Sequence, residues 1–153
     1  MVDLSKPVML PVRVSLNEEK GGKVIGKARK HILKTDLFEN WGGCDTCPTP
    51  LETFAFSLGA CFVSTARRVA DKAGIPINSI SAKVEGEIDV RKAMGRDSEN
   101  RVGFPVMKVM VDLDSPLNDF QKKAFIDKVA ILCPVVDSVD QPTPVEFILG
   151  KKG

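Results

Sequence analysis

The first third of the chain alternates apolar and polar residues in the short period of strands. Residues 8–16 alternate imperfectly, and Asn17-Glu18-Glu19-Lys20-Gly21-Gly22 supplies turn residues. Residues 23–33 then resume with Val24, Ile25 and Ile32 among polar neighbours, so the segment predicts a hairpin. The run from Trp41 to Pro50 holds two glycines and two prolines, which exclude regular structure. There the rhythm changes. Thr49 is a good N-cap, Pro50 suits the first helical position, and Glu52 completes a capping box. The helix runs to Gly74, with Pro76 beyond. Leu51, Phe54, Ala55, Phe56, Leu58, Ala60, Cys61, Phe62 and Val63 leave its first part little polar face, and a helix apolar all round is expected to be the buried, central one.

Residues 77–90 return to alternation through Ile80, Ala82, Val84, Ile88 and Val90. Residues 104–113 alternate through Val106 or Met107, Val109, Val111 and Leu113, so the two segments read as paired strands. The polar stretch between them, 91–103, reads as a solvated loop. Ser115-Pro116 reads as the cap of a second helix reaching about Leu132, with Leu117, Phe120, Ala124 and Ile131 toward the core and Lys122, Lys123 and Lys128 outward. Pro134 opens a further short helix through Val139 with Cys133 as its N-cap, and residues 144–149 form a last short strand. With no internal repeats, the order β-β-α-β-β-α-β predicts a single α+β domain over residues 1–153.

Composition narrows the functional classes rather than the fold. A chain 43% hydrophobic and 27% charged is an ordinary globular one. A formal net charge of +2 from 22 basic and 20 acidic residues gives no basic surface for nucleic acid or membrane. The first seven residues carry no cationic region followed by a long apolar one, and no segment is apolar enough to span a bilayer, so a cytoplasmic location is expected. Four cysteines in this length do not make the dense framework of a small secreted domain; in a reducing compartment they are thiols available for redox or metal chemistry.

Each candidate has a plain structural reading beside the chemical one. Cys61, inside Leu58-Gly59-Ala60-Cys61-Phe62-Val63, reads first as core packing, and as a nucleophile it needs a nearby cation. Cys133, at a helix junction, lies where a helix N-terminus favours a thiolate, although a structural role fits about as well. Glu52 is accounted for by its capping box. His31, the sole histidine, reads as a surface residue, which disfavours a cysteine-histidine hydrolase. Cys44 and Cys47 form a Cys-x-x-Cys that suits a redox dithiol, or half of a zinc site with no second close pair to complete it; redox use ranks first and no metal is assigned.

These pieces occur in an informative order. Gly42-Gly43-x-Asp45-x-x-Pro48-x-Pro50-x-Glu52, Ser57-Leu58-Gly59-Ala60-Cys61, Gly74-Ile75, Val84-Glu85-Gly86-x-Ile88-Asp89 and Cys133-Pro134-Val135 together resemble the OsmC/Ohr family of thiol peroxidases over nearly the whole chain. The resemblance implies an intertwined homodimer whose sheets wrap around central helices, with the active site at the interface. It implies that Cys61 attacks an organic hydroperoxide, that Cys133 resolves the sulfenic acid as a disulfide, and that an external lipoamide-like dithiol restores the pair without a bound cofactor. It further implies an arginine from the N-terminal strands, held by a glutamate at the start of the central helix.

This sequence departs from that pattern at the activating groups. Glu52 falls one residue later than the family's acid, about 100° around a helix. The arginine's position is Lys23, with Arg13 and Arg29 as the other cations, and a lysine lacks the guanidinium fork. The chain therefore resembles a divergent OsmC-like branch. Cys44 and Cys47 add a redox relay to the reading, in which they reduce a disulfide between Cys61 and Cys133. The leading expectation is a cytoplasmic peroxidase acting on organic hydroperoxides. The alternatives are a non-catalytic OsmC-like protein that binds a small apolar ligand, and a thiol or metal protein using Cys44 and Cys47.

Overall fold

Three antiparallel strands build the first of two units into which the chain divides, Met1–Thr53 and Phe54–Gly153. They are β1 (Ser15–Glu18), β2 (Val24–Ala28) and β3 (His31–Thr35), in the order β1-β2-β3. The computed structural model describes residues 5–19 and 21–150; Lys20 of the expected turn and residues 1–4 of the N-terminal segment lie outside the described residues.

The expected two-stranded hairpin is a three-stranded meander. Ala28 pairs with His31, and Arg29 turns the chain with a left-handed φ of 56°, which splits the 23–33 segment into β2 and β3. Neither Gly nor Asn marks this turn, so nothing in its residue types announces a positive φ. The first strand is also shorter than expected: residues 8–14 are not in it, and Pro7 and Pro11 remove the N–H groups a ladder would need there.

Helix α1 (Pro50–Ala73) begins at the end of the first unit and runs through the second. Leu58, Gly59, Phe62, Thr65, Ala66, Val69 and Ala70 are buried, at the three- and four-residue spacing of one helical face. Its end is a Schellman turn: Gly74 takes φ 65°, its N–H donates to Asp71 O at 3.4 Å, and Ile75 N–H donates to Ala70 O at 3.0 Å. Contrary to the expectation of burial all round, Leu51, Phe54 and Phe56 are exposed, Phe56 to 73%.

In the second unit β4 (Ser79–Gly86) pairs with β5 (Met107–Asp114). Opposed pairs Ile80 and Leu113, Ala82 and Val111, and Val84 and Val109 form its more buried face, as the alternation predicts. Ile88, Val90, Phe104 and Val106 lie beyond the strand ends, and Met107 rather than Val106 continues the buried alternation.

Helix α2 (Asp119–Leu132) begins later than the Ser-Pro signal suggests. Asn118 is its cap: Gln121 N–H donates to the Asn118 side chain at 2.9 Å, and Asn118 N–H donates to Gln121 Oε1 at 3.0 Å. The shift turns the core face to Phe125 and Val129, one helical turn apart, with Leu117 packed against the core before the helix begins. Phe120 and Ile131, expected inward, are each 82% exposed, and Ala124 is exposed too. The short helix α3 (Pro134–Asp140) follows with Cys133 as N-cap and Pro134 in its first turn, as expected. Residues 144–149 form no strand; Phe147 is 96% exposed. One core results in this unit, joining Phe62, Ala66, Val69 and Ala70 to Ile77, Leu113, Phe125, Val129 and Cys133. Among the described residues no helix is long and apolar enough to cross a membrane.

Candidate functional site

Cys61 lies on α1 beside the buried face and packs, half-buried, against the core cluster. Cys133 reaches the same core from the junction of α2 and α3. Its N–H donates to Ala130 O at 3.2 Å, closing α2, and its C=O accepts from Asp137 N–H at 3.0 Å, opening α3. That double role fixes an extended backbone at Cys133 and leaves its side chain fully buried. The first N–H groups of a helix have no partner within it. Val135, in the first turn of α3, presents one of these N–H groups, and it is among the groups that lower the Cys61 thiol.

The two thiols thus meet inside one unit. Burial pushes the Cys61 thiol above the usual range, the Val135 N–H pulls it down, Cys133 as hydrogen-bond partner and neighbouring charge raises it, and the Thr65 hydroxyl lowers it; the net direction is up. Thr65, one turn beyond Cys61 and itself buried, is a group that the sequence motifs do not mark. Its signal was an i, i+4 spacing from the cysteine on a face of otherwise apolar residues. Among the described residues no cation is among the groups that shift Cys61.

The activating groups expected from the resemblance belong to the first unit. Glu52 Oε2 accepts from Thr49 N–H at 2.7 Å and from Thr49 Oγ1–H at 2.8 Å, while Glu52 N–H donates to Thr49 Oγ1 at 3.2 Å. These bonds hold the Glu52 carboxyl below its usual range and are those of the capping box. Arg13 is exposed ahead of β1, Lys23 is half-buried just before β2, and Arg29 is exposed in the β2–β3 turn. His31 is exposed at the start of β3.

Cys44 and Cys47 lie in a loop organised by a residue that sequence reasoning also missed. Asp36 is buried, and its carboxylate accepts from Leu37 N–H at 2.8 Å, Cys44 N–H at 3.4 Å, Thr46 N–H at 3.0 Å and Thr46 Oγ1–H at 2.7 Å. The Thr46 bonds are the main reason its carboxyl is held down at about 2. Cys44 is exposed, Cys47 half-buried, and all four cysteines are free thiols. Among the described residues no three His, Cys, Asp or Glu side chains stand together as a metal-binding group.

The polar loop read as merely solvated is also organised, through the carboxylate just before it. Asp89 accepts from Arg91 Nη2 at 2.6 Å, Ser98 Oγ at 2.8 Å and Asn100 Nδ2 at 2.8 Å. Its carboxyl is held well below the usual range by the Arg91 guanidinium first and the two neutral donors after it.

The profile of the OsmC-like protein family matches residues 42–148, a stretch that contains Cys44, Cys47, Glu52, Cys61 and Cys133. The chain belongs to the OsmC-like family. Solved structures agree on the fold. An OsmC-like protein from Mycoplasma pneumoniae superposes with a TM-score of 0.71 at 20% identity, covering 88% of this chain and 89% of its own. An organic hydroperoxide resistance protein from Legionella pneumophila gives 0.66 at 19% identity, covering 87% and 91%. The organic hydroperoxide resistance protein OhrB of Bacillus subtilis gives 0.55 at 18%, covering 85% and 90%. Among curated protein sequences none matches. The α+β, OsmC-like architecture expected from the sequence is therefore the one observed.

Proposed function

We propose that this OsmC-like protein is a thiol peroxidase for organic hydroperoxides, with Cys61 as nucleophile and Cys133 as resolving thiol. The observation that carries the reading is the packing of Cys61 against the core cluster of the second unit that contains Cys133, where the two thiols act on each other. The Cys61 thiolate attacks the distal oxygen of ROOH, forming sulfenic acid and releasing RO⁻, which leaves as ROH after protonation. The Cys133 thiol then displaces water from the sulfenic sulfur, forming the disulfide. An external dithiol of the lipoamide kind takes the oxidising equivalents by two exchange steps. Several solved relatives bear the name organic hydroperoxide resistance protein, which supports the substrate class.

A homodimer is part of the proposal. Phe56 on α1, Phe120 and Ile131 on α2, and Phe147 near the C-terminus are apolar side chains left in solvent by a single chain. Light scattering at micromolar concentration checks this, and a monomer contradicts it. The activating cation is proposed among Lys23, Arg13 and Arg29, and alanine substitutions identify it through the peroxidase rate.

One observation favours a second reading. Burial raises the Cys61 thiol and, among the described residues, no cation offsets it, which favours a protein that keeps a protonated thiol and binds a small apolar molecule. The test compares consumption of cumene hydroperoxide and hydrogen peroxide, with dihydrolipoamide as reductant, in wild type, Cys61→Ser and Cys133→Ser. Preferential turnover of the organic peroxide, abolished by Cys61→Ser, supports the peroxidase. No turnover, with Cys61 unmodified by excess peroxide, supports the binding protein.

A further inference from the structure

Free cysteine is usually among the most buried of residues, and this chain obeys that rule at Cys133, which is fully buried. It breaks the rule at Cys44 and Cys47, where two free thiols separated by two residues lie at or near the surface of a single loop. We propose that Cys44 and Cys47 form a second thiol–disulfide couple, which reduces disulfides presented from solution. The couple is separate from the Cys61 and Cys133 pair and does not depend on the peroxidase reading.

The loop is built to hold its backbone while its thiols stay accessible. Asp36 grips it at both sides of Asp45, through Cys44 N–H on one carboxylate oxygen and Thr46 N–H and Oγ1–H on the other. Asp45, between the grips, takes a left-handed φ of 50°, and its N–H donates to Leu37 O at 3.0 Å. Gly43 lies so close to residue 37 that a Cβ there would sit 2.1 Å from Leu37 O, so the chain entering Cys44 cannot carry a side chain. On the far side, Asp36 N–H donates to Pro48 O at 3.1 Å, and Thr49 is fixed as the cap of α1. A backbone tied down on both sides of the pair has little entropy left to lose when the two sulfurs join. Exchange also needs an approach path for the incoming disulfide, and the exposed Cys44 has one.

The chemistry balances without any further reactant. The Cys44 thiolate attacks one sulfur of R–S–S–R′ and expels RS⁻, leaving a mixed disulfide between Cys44 and R′S. The Cys47 thiolate attacks the Cys44 sulfur, expels R′S⁻ and closes the 44–47 disulfide. The protein dithiol loses two electrons, the external disulfide gains them, and the two thiol protons pass to the released thiols.

The test uses the full chain carrying Cys61→Ser and Cys133→Ser, so that failure of the peroxidase reading cannot affect the result. The protein is equilibrated in mixtures of reduced and oxidised glutathione, quenched with an alkylating agent, and read by intact mass and peptide mapping. The expected result is loss of both alkylatable thiols together in one two-electron transition, with Cys44 and Cys47 joined in one chain. Adding Cys47→Ser should trap glutathione on Cys44 at least about tenfold faster than Cys44→Ser traps it on Cys47, because the exposed thiol makes the first attack. Glutathione adducts without ring closure, a disulfide between two chains, or thiols that persist across all mixtures would overturn the proposal. Circular dichroism of each variant separates these outcomes from misfolding.

Discussion

Gly59→Ala sets two opposed effects against each other at the helix that carries Cys61. Replacing a mid-helix glycine by alanine is worth about 1 kcal/mol in backbone propensity. Gly59 is buried, however, and a Cβ placed on it would lie 2.9 Å from Val84 Cγ2. Carbon atoms pack best at about 3.5–4.0 Å, so Val84 or the helix would have to retreat by at least about 0.6 Å. Val84 gives way poorly: it is β-branched, and it sits on β4 opposite Val109. Overpacking of this kind costs about 1–3 kcal/mol, so the balance is a net loss of about 1 kcal/mol. For a chain of this size that lowers Tm by about 2–4 °C. In a Val84→Ala background the obstructing methyl is gone, and the same substitution should become stabilising by up to about 1 kcal/mol. Thermal and urea unfolding of the four members of the cycle, at one fixed protein concentration, measure the reversal of sign. Stabilisation by Gly59→Ala in the wild-type background would refute the argument, because it would mean that α1 and β4 do not approach this closely.

Three further outcomes follow from the buried polar groups. Asp36 has its carboxyl depressed to about 2 by neutral donors, so the stability it contributes is present above the unfolded value near 4 and is lost as pH falls through about 2; hydrogen exchange at Thr46 N–H should accelerate over that window, and Asp36→Ala should show the acceleration at neutral pH. Burial raises the Cys61 thiol, so its alkylation should rise at higher pH than that of an exposed thiol; Thr65→Val should move the profile further up, Thr65→Ser should restore it, and Cys133→Ala should move it down. Thr49→Ala removes the hydroxyl that accepts from Glu52 N–H and donates to its carboxylate, while the N–H of residue 49 still donates to that carboxylate; it should cost about 1 kcal/mol in urea unfolding, with Glu52→Gln costing less because an amide oxygen still accepts.

Where a local signal is decided by neighbouring residues, the sequence was legible. The start of α1 at Thr49-Pro50 and its stop at Gly74 are local events of capping and positive φ, and both fall where the residue types put them. The β4 and β5 alternation is likewise local to each strand, and the opposed apolar pairs follow from it. Asp36 was illegible for the opposite reason. Its partners, Cys44 and Thr46, are eight and ten residues away, and no spacing rule predicts which carboxylate a glycine-rich loop will fold around. Thr65 was hidden differently, since a threonine on an apolar helical face looks like a tolerated small residue until the sulfur one turn away is seen beside it.

The apolar positions that a single chain leaves in water bear on the proposed dimer. The pattern of Phe56, Phe120, Ile131 and the 144–149 segment predicts a buried face or a paired strand, and in the single chain each is exposed or unpaired. Periodicity reports whether a side chain is to be removed from water, not which molecule removes it. Within α2 the two kinds of position separate cleanly: Phe125 and Val129 are buried by the chain's own core, while Phe120 and Ile131, equally apolar, are each 82% exposed. Were these positions free of selection for burial, lysine or glutamate would serve there as well, as Lys123 and Asp127 do in their exposed ion pair. A face that is apolar in sequence yet wet in one chain is the pattern expected when a second copy completes the structure. Phe120→Lys and Ile131→Lys should accordingly leave the secondary structure of α2 intact by circular dichroism while weakening self-association. Retention of a dimer by both variants would place its interface elsewhere on the chain.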